Sequence, residues 1–212
     1  MPTPDPIKSF SGGRIGFYGS FPDVRRMPDL DLPEVAFAGR SNVGKSSCIN
    51  RLLKVKAVAR VSKTPGRTQH INLFSVDHAY GIADLPGYGF AKVPDAVKAQ
   101  WKGMVEGYFS GRKALKLVVV LIDSRHEVQN LDAELIWGLR QSHIPLLVVA
   151  TKLDKVKRSR RKSTLAKLRK DYRLEVGEII GFSSLDGLGV DETWAAIHKR
   201  CRPPRDRDTS RG

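Results

Sequence analysis

The sequence predicts an α/β fold, a mostly parallel six-stranded sheet with one antiparallel strand and helices on both faces. Three observations predict it. Apolar strand-like runs alternate with amphipathic segments of helical length along most of the 212 residues. One adjacent pair of runs has no helix between its members and must form a hairpin. The first run leads directly into Gly39-Arg40-Ser41-Asn42-Val43-Gly44-Lys45-Ser46-Ser47, a complete match to the phosphate-loop pattern G-x-x-x-x-G-K-S/T, which belongs between a strand and a helix.

In chain order, the Pro- and Gly-rich start is read as an N-terminal extension, 1–31, before a single domain at 32–203 and a disordered basic tail at 204–212. Strands are predicted at Val35–Ala38, Ile71–Val76, Tyr80–Asp84, Leu117–Asp123, Pro145–Thr151 and Glu178–Ser183. Helices are predicted at Lys45–Lys54, Asp95–Ser110, Asn130–Ser142, Ser163–Tyr172 and Asp191–Arg200. The runs Ile71–Val76 and Tyr80–Asp84 are the hairpin, so one strand is antiparallel. Trp101, Trp137 and Trp194 fall on predicted helices and are assigned to core packing.

Composition bounds the class. Apolar content of 41% with 28% charged residues suits one globular domain. No apolar stretch approaches the roughly 20 residues of a membrane span. Residues 1–10 carry neither a signal core nor a cleavage site, so a cytoplasmic protein without membrane contact is expected. Cys48 and Cys201 are read as reduced and unpaired. The 37 Lys and Arg against 22 Asp and Glu give a formal net charge of +15, and Lys152 to Arg173 holds eleven basic residues and two acidic ones. Such a surplus suits a phosphate-rich partner such as RNA; a solvated helix face is the plain alternative.

The motifs then select a ligand. The loop glycines allow backbone amides to curl around phosphates at a helix N-terminus. Lys45 would reach the β- and γ-phosphates, and the Ser46 hydroxyl would ligate Mg²⁺. Asp84-Leu85-Pro86-Gly87 places D-x-x-G at a strand end, where Asp84 can hold a Mg²⁺-bound water and the Gly87 amide can meet the γ-phosphate. Thr151-Lys152-Leu153-Asp154 follows another strand. The Asp154 carboxylate can accept from both guanine N1-H and the exocyclic amine, which adenine does not offer, while Lys152 lies over the base. The more usual first residue of that motif is Asn, whose amide braces the phosphate loop; Thr151 keeps a hydroxyl and loses that amide. Phe182-Ser183-Ser184 ends the last strand, where a backbone amide can touch guanine O6.

Between the phosphate-loop helix and the hairpin runs a polar loop, Ser62 to His70. One of its threonines should complete the Mg²⁺ shell when a γ-phosphate is present; Thr68 is chosen, with Thr64 as the alternative. Gly66, Arg67, Thr68, Gln69 and His70 therefore join the nucleotide set. Lys45, Thr68, Asp84 and Gly87 form the catalytic set, with Ser46 and Thr68 as metal ligands.

Three stretches, Ala38 to Ser47, Lys63-Thr64-Pro65-Gly66-Arg67-Thr68-Gln69 and Asp84-Leu85-Pro86-Gly87-Tyr88-Gly89, resemble the EngB-type (YihA/YsxC) ribosome-biogenesis GTPases, Era-like members of the translation-factor-related (TRAFAC) P-loop GTPases. The resemblance runs from about Leu32 to Arg202. It implies a single P-loop GTPase (G) domain that binds GTP and GDP with Mg²⁺, with Ser46 and Thr68 on the metal and Thr151–Asp154 and Phe182–Ser184 on guanine. It also implies a role in large ribosomal subunit assembly and a need for the protein in cell division and septation. T-K-x-D is common in that family; Cys48 stands where an aliphatic residue is usual.

Tyr88 occupies the position after D-x-x-G where Ras-like enzymes carry a water-orienting Gln. Slow intrinsic hydrolysis is expected, with a partner or K⁺ supplying what Gln does not. Asn42 is a candidate K⁺ ligand, and a plain loop-bracing Asn fits equally. The expected partners of this monomer are GTP or GDP and, through the basic surface, the large ribosomal subunit or rRNA. A signalling GTPase without RNA contact, and an ATPase or kinase, are the competing classes; Asp154 separates the last.

Overall fold

The computed structural model describes residues 14–55, 70–89 and 95–201, with backbone alone over 95–102. Its described strands are β1 (Ile15–Phe21), β2 (Glu34–Gly39), β3 (Ile71–Val76), β4 (Tyr80–Asp84), β5 (Leu115–Asp123), β6 (Leu146–Thr151) and β7 (Ile179–Gly181). The helices are α1 (Lys45–Leu52), α2 (Asp95–Gly111), α3 (Asn130–Gln141), α4 (Arg161–Asp171) and α5 (Val190–Arg200). All strands join one sheet in the order β1-β3-β4-β2-β5-β6-β7. β3 runs antiparallel to β1 and β4, and the other ladders are parallel.

The α/β class and the one antiparallel strand are as the sequence predicts, but the described residues form seven strands. The extra strand, β1, comes from the segment read as an extension. Its glycines disguise it: a Cβ on Gly16 would lie 2.8 Å from Ser75 Oγ, and Gly19 (φ 143°) sits where the ladder with β3 shifts register. As an edge strand it also leaves Phe17 and Tyr18 exposed, so alternation is weak. The hairpin β3–β4 closes through Asp77, His78 and Ala79; Asp77 and His78 are both at φ 52°, and the Ala79 amide donates to the Val76 carbonyl at 2.9 Å, a left-handed turn that matches strand twist.

The continuous apolar runs are explained by burial on both faces. Val35, Phe37, Val119, Leu121, Leu147 and Val149 point to one face and pack with Cys48, Ile49 and Leu52 of α1 and Trp194 and Ile197 of α5. Ala36, Ala38, Val118, Val120, Val148 and Ala150 point to the other, against Tyr108 of α2, Ile136 and Leu139 of α3 and Leu168 of α4. Trp194 is a core residue whose indole N-H donates to the Leu52 carbonyl at 3.1 Å. Trp137 is not: it is 65% exposed, because α3 buries Asp132, Ile136 and Leu139, a stripe that position 137 misses by about a quarter turn. The Trp101 side chain lies outside the described set, as do the tail 204–212 and the loop 62–69. Both cysteines are free and buried.

At the base of the sheet, Glu34 of β2 is 1% exposed and receives the Arg112 guanidinium at 2.8 Å and the Tyr108 hydroxyl. Arg112 also donates to the Pro28 carbonyl at 2.7 Å, fastening the end of α2 under β2. No described helix is long and apolar enough to cross a membrane.

Candidate active site

Four strands end together at the other edge. β2 stops at Gly39, β4 at Asp84, β5 at Asp123 and β6 at Thr151, with Phe37 paired to Asp84, Gly39 to Leu121 and Asp123 to Thr151. Carboxyl ends of parallel strands form the crevice where α/β sheets bind ligands.

The loop after β2 folds back tightly. A Cβ on Gly39 would lie 2.9 Å from Val43 Cγ1 and 3.1 Å from the Leu121 carbonyl oxygen, so this position requires glycine. Asn42 (φ 62°) and Gly44 (φ 102°) turn the chain through left-handed conformations. Gly44 then caps α1 without a side-chain hydrogen bond, leaving the first-turn amides, at the positive end of the helix dipole, for an anion. Lys45 and Asp84 are in direct contact, with side chains 11% and 6% exposed. Ser46 is half-buried beside them, Asn42 and Ser47 are exposed, and Arg40 and Ser41 are half-buried.

The T-K-x-D segment clamps this loop. The Thr151 hydroxyl lies 2.6 Å from the Val43 carbonyl oxygen and 3.0 Å from that of Ile122. By sequence, Thr151 keeps a hydroxyl and loses the amide that more usually braces this loop; in the structure it is the hydroxyl that reaches the loop. Lys152 (φ 58°) donates to the Asn42 carbonyl at 2.7 Å and pairs with Asp123 at 2.9 Å. Burial would raise the Asp123 carboxyl, but hydrogen bonds from Arg125 and Lys152 hold it well below the usual carboxylate range. Leu153 is buried and its amide donates to the Phe182 carbonyl at 3.1 Å, tying together the two segments assigned to guanine. Phe182 and Ser183 are buried. The Ser183 Oγ accepts from the amides of Leu185 (3.3 Å) and Asp186 (3.4 Å), and Ser184 is exposed. Asp154 stands near Lys155 at 3.7 Å.

On the β4 side, Leu85 and Pro86 are buried, and Gly87 lies so close to the loop that a Cβ would meet the Ser41 amide nitrogen at 3.3 Å. Tyr88 bridges to Arg40: the Ser41 amide donates to the Tyr88 carbonyl at 2.8 Å and the Tyr88 amide to the Gly39 carbonyl at 3.3 Å. The Tyr88 hydroxyl turns inward and donates to Asp132 Oδ1 at 2.7 Å. Burial pushes the Asp132 carboxyl up to about 6, against the lowering hydrogen bond from Tyr88, the Arg40 charge and Tyr172. Gly66, Arg67, Thr68 and Gln69 lie outside the described residues; His70 is exposed at the entry to β3. Sequence reading missed Asp123 and Asp132. Asp123 carried a signal, since it ends a strand as Asp84 does, whereas Asp132 sits within a helix.

Residues 34–152 match the family model described as 50S ribosome-binding GTPase. The probable GTP-binding protein EngB of Vibrio parahaemolyticus is 49% identical over 183 residues, covering 85% of this chain and 84% of that protein. EngB of Photobacterium profundum is 47% identical over 179 residues, covering 84% and 77%. Among solved structures, that of a probable GTP-binding protein engB aligns with TM-score 0.65 and 28% identity over 78% of this chain and 97% of that one. Era in complex with MgGDPNP and nucleotides 1506–1542 of 16S ribosomal RNA aligns with TM-score 0.64 and 24% identity over 82% and 58%, a likeness of fold.

Proposed function

The chain belongs to the 50S ribosome-binding GTPase family, among the EngB-type GTP-binding proteins, and from that premise we propose that this GTP hydrolase is a GTP/GDP switch in large ribosomal subunit assembly. In this reading it is cytoplasmic and monomeric and is needed for normal cell division and septation. Gly39–Ser47 cradle the phosphates, Thr151–Asp154 and Phe182–Ser184 hold guanine, and Gly66–His70 and Asp84–Gly87 respond to the γ-phosphate.

The donor set fits Mg²⁺. Ser46 presents a hard hydroxyl oxygen, Thr68 would add a second, and the Asp84 carboxylate would hold a Mg²⁺-bound water. Among the described residues no cluster of three or more His, Cys, Asp or Glu forms a protein-only metal cage; Mg²⁺ suits such a site because it commonly binds through few side chains plus substrate phosphates. When bound, it would neutralise charge on the phosphate oxygens. Lys45 would leave Asp84 for the phosphates and place its ammonium against the same developing charge. Tyr88, turned toward α3, does not stand in for a water-orienting Gln, which supports slow intrinsic turnover raised by a partner or by K⁺ at Asn42.

One observation carries the RNA contact. α4 begins against local electrostatic preference: Arg160 is its cap, Arg161 and Lys162 follow, and its first turn contains no acid. Cations at a helix N-terminus oppose the dipole by about 0.3–1 kcal/mol each, a local cost that a polyanionic partner would offset. Lys157, Arg158, Arg160, Lys162, Lys170 and Arg173 are exposed. The triple variant Arg158→Gln, Arg160→Gln, Lys162→Gln should lower the slope of log affinity for large-subunit rRNA against log salt by about 1 for each phosphate no longer neutralised. An unchanged slope would return this segment to solvated surface.

A further inference from the structure

The geometry points to Asp132 as a positioning residue for GTP hydrolysis: through the Tyr88 hydroxyl it holds the chain after Gly87 against the phosphate loop. Tyr88 and Asp132 are 5% and 2% exposed, and their 2.7 Å bond spans 44 residues of sequence, from the end of the D-x-x-G segment to the first turn of α3. Tyr88 is held from both directions. Its backbone is laced to Gly39 and Ser41, and its side chain is anchored outside the nucleotide crevice.

The anchor itself is braced. Tyr172, after α4, approaches Asp132 Oδ2 at 3.5 Å and accepts from the Gln129 amide at 3.0 Å. Gln129 Oε1 accepts from Arg40 at 2.7 Å, which returns the chain of contacts to the phosphate loop. Gly89 (φ 75°) closes the circuit sterically: a Cβ there would lie 3.3 Å from both Arg40 Nε and Leu131 Cδ1. The phosphate loop, the D-x-x-G segment and α3 are thus tied to one another through the buried Tyr88, Asp132 and Tyr172 and the half-buried Arg40 and Gln129. A circuit of this kind sets where the Gly87 amide stands, and a γ-phosphate contact is sensitive to displacements well under the length of a bond.

The inference rests on the reading of Gly87 as the γ-phosphate contact, and one experiment separates the two. Single-turnover GTP hydrolysis and equilibrium GDP affinity are measured on the full chain. Tyr88→Phe, which keeps the ring in the core, and Asp132→Leu should each slow hydrolysis between about tenfold and a hundredfold, since misplaced reacting groups cost that much. GDP affinity should not change, because GDP lacks the γ-phosphate. The double variant should be no slower than either single one, as members of one contact act as a unit. Asp132→Asn, whose Oδ1 still accepts from Tyr88, should retain the wild-type rate. Wild-type hydrolysis in Tyr88→Phe and Asp132→Leu, with Gly87→Ala slow, would overturn the positioning role alone. Wild-type hydrolysis in Gly87→Ala as well would overturn the reading of Gly87 too.

Discussion

The Thr151 hydroxyl, 2.6 Å from the Val43 carbonyl oxygen, joins the end of β6 to the phosphate loop across 108 residues of sequence. Both partners are buried, so removing the donor leaves a carbonyl without it. Thr151→Ala should therefore weaken GDP and GTP alike by about 1–2 kcal/mol, roughly tenfold in affinity, while Thr151→Ser retains both. Fluorescence titration with a labelled nucleotide measures this; equal affinities for Ala and wild type would remove the brace.

Asp154 is the assigned guanine reader. Asp154→Asn should lower GDP affinity by at least about a hundredfold, because a site built to accept hydrogen bonds is left mispaired. Binding of xanthosine diphosphate should rise in the same protein. Competition titration with both nucleotides measures the exchange, and unchanged preference for guanine would exclude the role.

Arg112 and Glu34 are a stability device at the opposite end of β2 from the site. Arg112→Ala leaves a carboxylate that is 1% exposed facing the Tyr108 hydroxyl without its cation. The cost should be about 3–5 kcal/mol by urea denaturation, with nucleotide affinity of the folded protein unaltered. A loss below about 1 kcal/mol, the range of a surface pair, would mean the contact is dispensable.

Asp132 gives stability a pH dependence of defined sign. Its carboxyl titrates at about 6 in the folded chain against 3.8 in the reference state, with Tyr88, Tyr172 and Arg40 facing it. Folding therefore favours the protonated form: the favourable contribution is full below about 3.8 and is lost as pH rises through about 6. Asp132→Asn cannot lose a proton, so its stability relative to wild type should climb between pH 4 and pH 6.5 and then level, by up to about 3 kcal/mol. Parallel urea melts across that range test it; a flat difference would contradict it.

The legible parts of the fold are those whose burial is symmetrical. β2, β5 and β6 are near-continuous apolar runs because both faces are covered, and α1 and α5 carry their buried residues at helical spacing. β1 is not legible, since Gly16 and Gly19 answer to Ser75 and a register shift on a strand far away in sequence. The site divides in the same way. Lys45, Asp84 and Asp154 sit in local motifs whose spacing is their chemistry. The partners that hold those motifs, Asp123 for Lys152 and Asp132 for Tyr88, are set by which helix and strand end pack nearby. Thr151 meets the same limit: sequence reports a missing amide, whereas only the fold reports that Val43 is close enough for a hydroxyl.

We propose a nucleotide-switched protein acting on the large ribosomal subunit. Co-sedimentation of the full chain with purified large subunits, with GDP or with a non-hydrolysable GTP analogue at fixed salt, tests it most directly. Pelleting with the analogue that falls away with GDP is the predicted result; no pelleting with either nucleotide would contradict it and favour a GTPase acting on protein partners without RNA.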